Sequence, residues 1–167
     1  MQSFVSMTIA FAEGADRLPP GRHVATVEDI ERVLVDGFAM SGTRRPLFER
    51  WKRVLAAIES LVQVERQWID GSFVTTKLDP GDIDVVSHLD GEAMDALDPV
   101  QQTLLAGLIA GHPSRDIHAC DSFWVPVYPE GHPAREESER AAAWWNDFFG
   151  KDRDGESKGY VELRRDG

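Results

Sequence analysis

The feature that most constrains the fold is a pair of short apolar segments joined by a turn-rich loop. The first segment, residues 67–70, ends at Gly71-Ser72, and the second, residues 82–86, begins after nine further residues. In the second segment apolar and β-branched residues alternate with polar ones, which is typical of a strand with one buried face. The loop contains the turn-forming residues 79–81. This region therefore predicts a strand, a turn and a second strand.

The sequence pattern also predicts the helices and strands around this strand pair. Apolar residues recur at three- and four-residue steps from Pro46 to Val62, which predicts an amphipathic helix packed against a sheet. Residues 1–25 are predicted to be irregular and residues 41–46 to form a loop. Further predicted elements are helices at 26–35, 91–97, 99–110 and 135–149, and strands at 117–127 and 159–163. The pattern predicts one α/β domain over residues 1–167, with a small mixed sheet and helices packed mainly on one face.

Charge and composition restrict the function classes. The 29 acidic and 18 basic residues give a net charge of −11, so the overall field does not attract nucleic acid. A nucleic-acid substrate would need a local basic patch or a bound cation. The only cysteine, Cys120, excludes an internal disulfide, and no basic region that would start a signal peptide precedes the first apolar residues. No apolar run is long enough to span a membrane, and we expect a cytoplasmic protein.

The chemistry of the predicted strand pair points to a metal and a phosphate. Residues two apart in a strand project from the same face, so Asp82 and Asp84 lie together. Two adjacent carboxylates repel each other unless a cation lies between them, and Mg²⁺ and Mn²⁺ prefer such oxygen ligands. A glycine at a strand end lets the backbone approach a phosphate, to which the hydroxyl of Ser72 can donate. Metal-assisted phosphoryl or nucleotidyl transfer fits both features.

A family resemblance agrees with this chemistry. Gly71-Ser72 followed by Asp82-Ile83-Asp84 resembles the signature of the polymerase-β-type nucleotidyltransferase superfamily, and of the minimal nucleotidyltransferases in particular. The chain more narrowly resembles a bacterial group of nucleotidyltransferase-like proteins, the domain of unknown function DUF6932. Three stretches contribute to that narrower likeness: Leu18-Pro19-Pro20-Gly21, the central 69–74 with 82–85, and 148–159.

The resemblance implies a nucleotidyltransferase fold and a role for each matching residue. Asp82 and Asp84 would ligate Mg²⁺ or Mn²⁺, and a third carboxylate on a later strand would complete the site and help to activate the attacking hydroxyl. Asp121 is the candidate for that carboxylate, and Asp116 is the alternative. Gly71 and Ser72 would bind the triphosphate of a nucleotide such as ATP, and Lys77 is either a further phosphate ligand or a solvated loop lysine.

The implied activity is transfer of a nucleoside monophosphate to a hydroxyl on RNA, protein or a small molecule. Two other functions stay open. One is a non-catalytic nucleotidyltransferase-like protein of a toxin–antitoxin or phage-defence system, which would bind a small helical partner. The other is a domain that binds nucleotide without turnover.

Several further residues favour structural roles. Arg44 and Arg45 are interpreted as residues that precede a helix, although they could also hold phosphates. A single cysteine beside His118 does not make a zinc site, and Cys120 is not expected to be a nucleophile. His88 is predicted to be a loop residue. Lys151, Arg153 and Lys158 are predicted to form a salt-bridged surface turn, and one of the adjacent Trp144 and Trp145 is predicted to be exposed or in an oligomer contact.

Overall fold

The structure, a computed structural model, describes residues 9–164. Its strands are β1 (Gly21–Ala25), β2 (Val64–Asp70), β3 (Ile83–Asp90), β4 (Cys120–Val127) and β5 (Gly159–Leu163). They form one sheet in the order β1-β5-β2-β3-β4. The sheet is mixed, because β2 runs antiparallel to both neighbours while β1 pairs with β5 and β3 with β4 in parallel. The predicted α/β class with a small mixed sheet is confirmed.

Helices connect and cover the strands. They are α1 (Val27–Ile30), α2 (Arg44–Glu59), α3 (Gly91–Asp95), α4 (Pro99–Leu108), α5 (Arg115–His118) and α6 (Arg135–Phe149). The capping box predicted to open the first helix is present, because Thr26 and Asp29 exchange hydrogen bonds with each other's backbone. A π-helical turn, Glu31–Val35, continues that helix. None of the helices within residues 9–164 has the length and apolarity needed to cross a membrane.

The main core lies on the face of the sheet covered by α2. Apolar side chains of α2, including Phe48, Trp51 and Ile58, are almost completely buried with Ile69 and Val85 of the sheet. The indole N–H of Trp51 donates to the side-chain oxygen of Gln67 at 2.6 Å, which satisfies a polar group inside this core. Side chains of α3 and α4 join the same cluster. The helices therefore lie mainly on one face, as the helical periodicity predicts.

The opposite face, which we call the α6 face, has a smaller core. Trp68, Val86, Val125 and Tyr160 of the sheet pack against Phe149 of α6. Because side chains alternate along a strand, the strand residues two positions before and two positions after these also point to the α6 face. Helix α6 covers only part of the sheet on this side, and polar residues occupy the part that it leaves open.

Several secondary-structure predictions were wrong: α2 ends at Glu59 rather than Val62, α3 ends at Asp95 rather than Leu97, and β3 is Ile83–Asp90 rather than 82–86. Three other differences have a clear physical reason. Residues 21–25 are not irregular but form β1, whose partner β5 lies at the far end of the chain and gives no local signal. Helix α2 begins at Arg44 rather than at Pro46, because the Arg44 side chain is buried and holds this end in place. The predicted strand over 117–127 begins only at Cys120, since residues 115–118 form α5. Residues 1–8 of the predicted irregular segment lie outside the described residues.

Candidate metal and phosphate site

A row of aspartates crosses the α6 face from strand to strand. Asp70 at the end of β2 is paired in register with Asp84 of β3, and Asp84 is paired with Asp121 of β4. Asp82 lies two residues before Asp84 and points to the same side. Carboxylate oxygens of Asp82, Asp84 and Asp121 lie within 4.8 Å of one another. We call these three residues the acidic triad.

Two basic side chains contact the triad from the segment before β4. The guanidinium of Arg115 donates to Asp121 at 2.6 Å and lies 2.9 Å from a carboxylate oxygen of Asp82. A ring nitrogen of His112 lies 2.8 Å from the second oxygen of Asp121. Burial acts to raise the pKa of Asp121, but the hydrogen bonds from Arg115 and His112 outweigh it and the net shift is downward. Asp121 is therefore held as a carboxylate although only 2% of its side chain is exposed.

Asp84 is in a different electrostatic position. Among residues 9–164, no basic side chain forms an ion pair or hydrogen bond with it. Burial raises its pKa to about 6, and the neighbouring charges of Asp82, Asp121 and Asp70 act in the same direction. A carboxylate surrounded by like charges is stabilised by any cation that reaches it. The negative charge of Asp84, at the centre of the triad, is therefore not balanced by a basic partner among the described residues, and a bound cation would stabilise it.

The fourth aspartate of the row has its own partner. The ammonium of Lys158, just before β5, forms an ion pair with Asp70 and donates to the carbonyl of Phe149 at 2.9 Å. Burial nevertheless raises the pKa of Asp70 to about 6, against the opposing effect of Lys158. Lys158 therefore ties the end of α6 to the end of β2. It is 14% exposed, so it does not belong to a surface turn.

Gly71 and Ser72 lie directly beside the triad. Gly71 has a φ of 82°, and a Cβ at this position would lie 2.7 Å from a carboxylate oxygen of Asp84. Ser72 opens a single 3₁₀ turn, Ser72–Val74. The backbone at the end of β2 thus reaches the triad more closely than any residue with a side chain would allow.

The triad and this backbone line one wide groove on the α6 face. The groove has a volume of about 1340 Å³, above the usual range for small-molecule sites. Basic residues line it as well: Arg17, Lys77, Arg115, Lys151, Arg153 and Lys158. The groove thus combines the carboxylate cluster with basic residues, several of which are paired with Asp70, Asp147 and Asp152 in the same groove.

Residues 9–164 match the family of unknown function DUF6932. The chain belongs to this family. No curated protein and no solved structure matches the chain significantly. In this DUF6932 protein the match includes the acidic triad, Gly71 and the strands that position them.

The other candidate residues differ in their relation to the site. Lys77 is exposed and lines the groove, so both of its interpretations stay open. Asp116 is exposed on α5 and is not part of the triad. Cys120 lies on the opposite face of β4 from Asp121, and burial raises its thiol pKa to about 12, which agrees with a structural role.

Sequence reasoning also assigned His88 and Arg44 to the wrong environment. His88 is not in a loop but lies on β3, where it is fully buried against the ring of Trp68 at a centroid distance of 4.2 Å. Burial first, then Arg66 and Arg22, lower its pKa to about 3, so the ring is neutral. Arg44 is 1% exposed, and it faces backbone carbonyls rather than the groove. No signal in the local sequence distinguishes either residue from its exposed counterparts.

The raised pKa of Asp84 gives a testable pH dependence in the absence of metal. The folded state binds this proton more tightly than the unfolded chain, whose aspartates have a pKa near 3.8. The contribution of Asp84 to the free energy of unfolding therefore falls as pH rises from about 4 to about 6.5, and stays low above that. We expect Asp84→Asn to remove this loss. The variant should be more stable than wild type by about 1–2 kcal/mol at pH 7.5, allowing for partial exposure.

Thermal unfolding in EDTA between pH 4 and pH 8 measures this effect. Asp84→Asn should unfold about 4 °C above wild type at pH 7.5, and the difference should shrink toward pH 4. Asp116→Asn, an exposed carboxylate outside the triad, is the control and should stay within about 0.5 kcal/mol of wild type at every pH. A pH-independent difference for Asp84→Asn would contradict the electrostatic explanation.

Proposed function

We propose that this protein is a metal-dependent nucleotidyltransferase, with the cation bound by the acidic triad and the triphosphate beside Gly71. The observation that carries the proposal is the contact between these two parts. Three carboxylates converge within 4.8 Å. The backbone of Gly71 lies against one of them without a side chain in between. A phosphate at Gly71 would therefore lie next to a cation at the triad.

The donor set fits Mg²⁺ or Mn²⁺. All three groups are hard oxygen ligands, which these cations prefer over nitrogen and sulfur. One oxygen of each carboxylate would have to lie about 2.0–2.1 Å from such a cation, and side chains that already converge within 4.8 Å would reach this by rotation. Arg115 is 48% exposed and can leave Asp82 when a cation arrives. Asp84, which has no basic partner of its own among the described residues, would supply the central ligand.

The chemistry follows from these positions. When bound, the cation would supply positive charge to the phosphates and to the departing pyrophosphate. Asp82 and Asp84 would hold it against β3, and Gly71 would let the triphosphate approach. The acceptor hydroxyl oxygen forms a bond to the α-phosphorus, and the bond from that phosphorus to the bridging oxygen of pyrophosphate breaks. Asp121 would be the carboxylate that takes the hydroxyl proton, after Arg115 or His112 releases the oxygen that accepts it.

The arrangement of the strands also supports a nucleotidyltransferase-like fold. The Gly-Ser pair ends β2, the Asp-x-Asp pair begins the adjacent antiparallel β3, and the third aspartate lies in register on the parallel neighbour β4. This is the order that the resemblance in the sequence implies. The proposed fold and the proposed activity therefore rest on the same residues.

Nucleotide binding by calorimetry tests the proposal. Wild type should bind ATP or another nucleoside triphosphate with Mg²⁺ and lose that binding in EDTA. Asp82→Asn/Asp84→Asn should weaken it at least about 100-fold, more than the loss of a residue that only orients a ligand. Asp116→Asn serves as the matched control and should bind as wild type does. Release of pyrophosphate in the presence of RNA, protein or small hydroxyl acceptors then tests turnover.

Each negative result has a defined meaning. If wild type binds no triphosphate under any metal condition, the proposed activity is wrong, and the function as a partner-binding protein gains support. If triphosphate binds tightly with Mg²⁺ but no acceptor yields pyrophosphate, the chain is a nucleotide-binding domain. If the double asparagine variant binds as well as wild type, the triad is not the metal site.

A further inference from the structure

The last two turns of α6 carry a cluster of aromatic residues with two different environments. Phe149 is 1% exposed and belongs to the core of the α6 face, and Trp145 packs against it. Trp144 and Phe148 point the other way and are 57% and 55% exposed. They are four residues apart on the helix, and their rings lie nearly parallel, at 8° and 5.1 Å between centroids. We call Trp144 and Phe148 the aromatic pair.

The aromatic pair lines the same groove as the acidic triad. A chain of ring contacts joins the two. Trp144 contacts Trp145, whose centroid lies 4.7 Å from Phe123, and Phe123 lies 5.3 Å from His112. His112 in turn contacts Asp121 of the triad. The groove therefore has a continuous aromatic lining that begins at the metal site and ends in an exposed planar surface.

Charge along the groove restricts what this surface binds. Lys77 and Arg153 line the groove and have no ion pair among the described residues, whereas Lys151 pairs with Asp147 and Arg17 with Asp152. A ligand that matches the whole groove must combine anionic groups with a flat aromatic face. A nucleotide has both. An aliphatic chain would bury against the rings but has no anionic group for the basic residues, and a simple polyphosphate would not cover the rings.

We infer that the aromatic pair stacks the base of the nucleotide whose phosphates lie at Gly71 and the triad. This inference rests on the proposed function and names the part of the substrate that binds α6. Base–aromatic stacking contributes about 1–3 kcal/mol per base and accepts every base through its π face. The site therefore discriminates weakly, with purine triphosphates ahead of pyrimidine triphosphates by a few-fold. The remaining volume of the groove accommodates the acceptor.

The experiment compares ATP with inorganic tripolyphosphate, each titrated by calorimetry in Mg²⁺. Wild type should bind ATP at least about fivefold more tightly than tripolyphosphate, which is the lower end of the stacking range. Trp144→Ala/Phe148→Ala should lower the affinity for ATP to that for tripolyphosphate, and should leave the affinity for tripolyphosphate unchanged. Trp144→Phe keeps a flat ring and should retain ATP affinity within about twofold.

The control removes an equally exposed apolar side chain elsewhere. Leu104 on α4 is 57% exposed, does not line the groove, and should be replaceable by alanine without any change in ATP binding. Because the aromatic pair is more than half exposed, its variants should unfold within a few degrees of wild type. Thermal unfolding checks this before the titrations.

The outcomes separate this inference from the proposed function. If tripolyphosphate binds with Mg²⁺ and needs Asp82 and Asp84, but ATP gains nothing over it, the metal–phosphate site stands and the base site is wrong. If the double alanine variant weakens both ligands equally, the aromatic pair supports the groove and does not stack a base. If neither ligand binds wild type, both proposals fall together.

Discussion

Arg44→Met is expected to lower the free energy of unfolding by about 3–5 kcal/mol, because several backbone carbonyls lose their hydrogen-bond donor together. The guanidinium of Arg44 donates to four backbone carbonyls. Two of these belong to Leu34 and Phe73, at 2.8 and 2.7 Å, and two to Thr75 and Lys77, at 2.7 and 2.6 Å. Methionine has a similar length but no donors, so these carbonyls would lose their partner, and each one that is buried costs about 1–3 kcal/mol.

The environment of Arg44 explains why the residue stays charged although it is buried. Burial lowers its pKa to about 10, with Asp79 acting in the opposite direction, so the side chain is protonated at neutral pH. Its guanidinium also lies 3.7 Å from the ring centroid of Phe38. Arg44 thereby joins the π-helical turn before α2 to residues 73–77, the segment that follows the Gly-Ser pair. Its loss should loosen that segment as well as destabilise the protein.

The neighbouring arginine provides the control. Arg45 is 45% exposed and forms ion pairs with Glu31 and Asp36 on the surface. Exposed ion pairs contribute about 0–1 kcal/mol, so Arg45→Met should be close to wild type. Urea denaturation monitored by circular dichroism measures both variants. Equal losses for the two substitutions would show that the four carbonyl contacts do not stabilise the fold. Arg44→Lys should fall between wild type and Arg44→Met, since an ammonium has three donors.

Arg44 also illustrates which parts of the fold local sequence can predict. Helix α6 and strand β5 have the predicted bounds, because each has a complete periodic pattern and its own breakers. Strand β1 was missed since its pairing comes from a distant segment. The burial of Arg44 was missed for the same reason: its partners at residues 34 and 73–77 come together only in the folded chain. An exposed arginine and a buried one have the same local sequence signature.

In the candidate site, too, local sequence predicted some of the residues, and others depend on contacts made only in the folded chain. Asp82 and Asp84 share a face by strand geometry alone, and the choice of Asp121 over Asp116 followed from its place inside a predicted strand. The structure brings Asp121, and not Asp116, to the other two. Arg115 and His112 could not be assigned to Asp121 in advance, because the strand was predicted to begin at residue 117, whereas residues 115–118 form α5. The groove itself depends on how α6 lies across the sheet, which no local pattern specifies.

Gly71→Ala should separate the geometry of the site from its charge, since it changes no ionisable group. At a φ of 82° and a ψ of −167°, a region occupied almost only by glycine, an alanine is strained by about 1–3 kcal/mol. Its Cβ would also lie 2.7 Å from the carboxylate oxygen of Asp84. The change that removes this clash at the lowest energy is a rotation of the Asp84 carboxylate away from Asp82 and Asp121. We therefore expect a stability loss of about 2 kcal/mol together with a loss of at least tenfold in Mg²⁺-dependent triphosphate affinity.

Gly131→Ala is the control for an alanine at a positive φ that makes no close contact. Gly131 has the same φ of 82°, but a Cβ there would meet nothing within 4 Å. It should cost about 1 kcal/mol through strain alone and leave triphosphate binding unchanged. Thermal unfolding and calorimetry with Mg²⁺ give both quantities for both variants. If Gly71→Ala binds triphosphate like Gly131→Ala, the close approach of Gly71 to Asp84 has no functional role. If only Gly71→Ala loses binding, the missing side chain at position 71 is what lets the phosphate and the cation share one site.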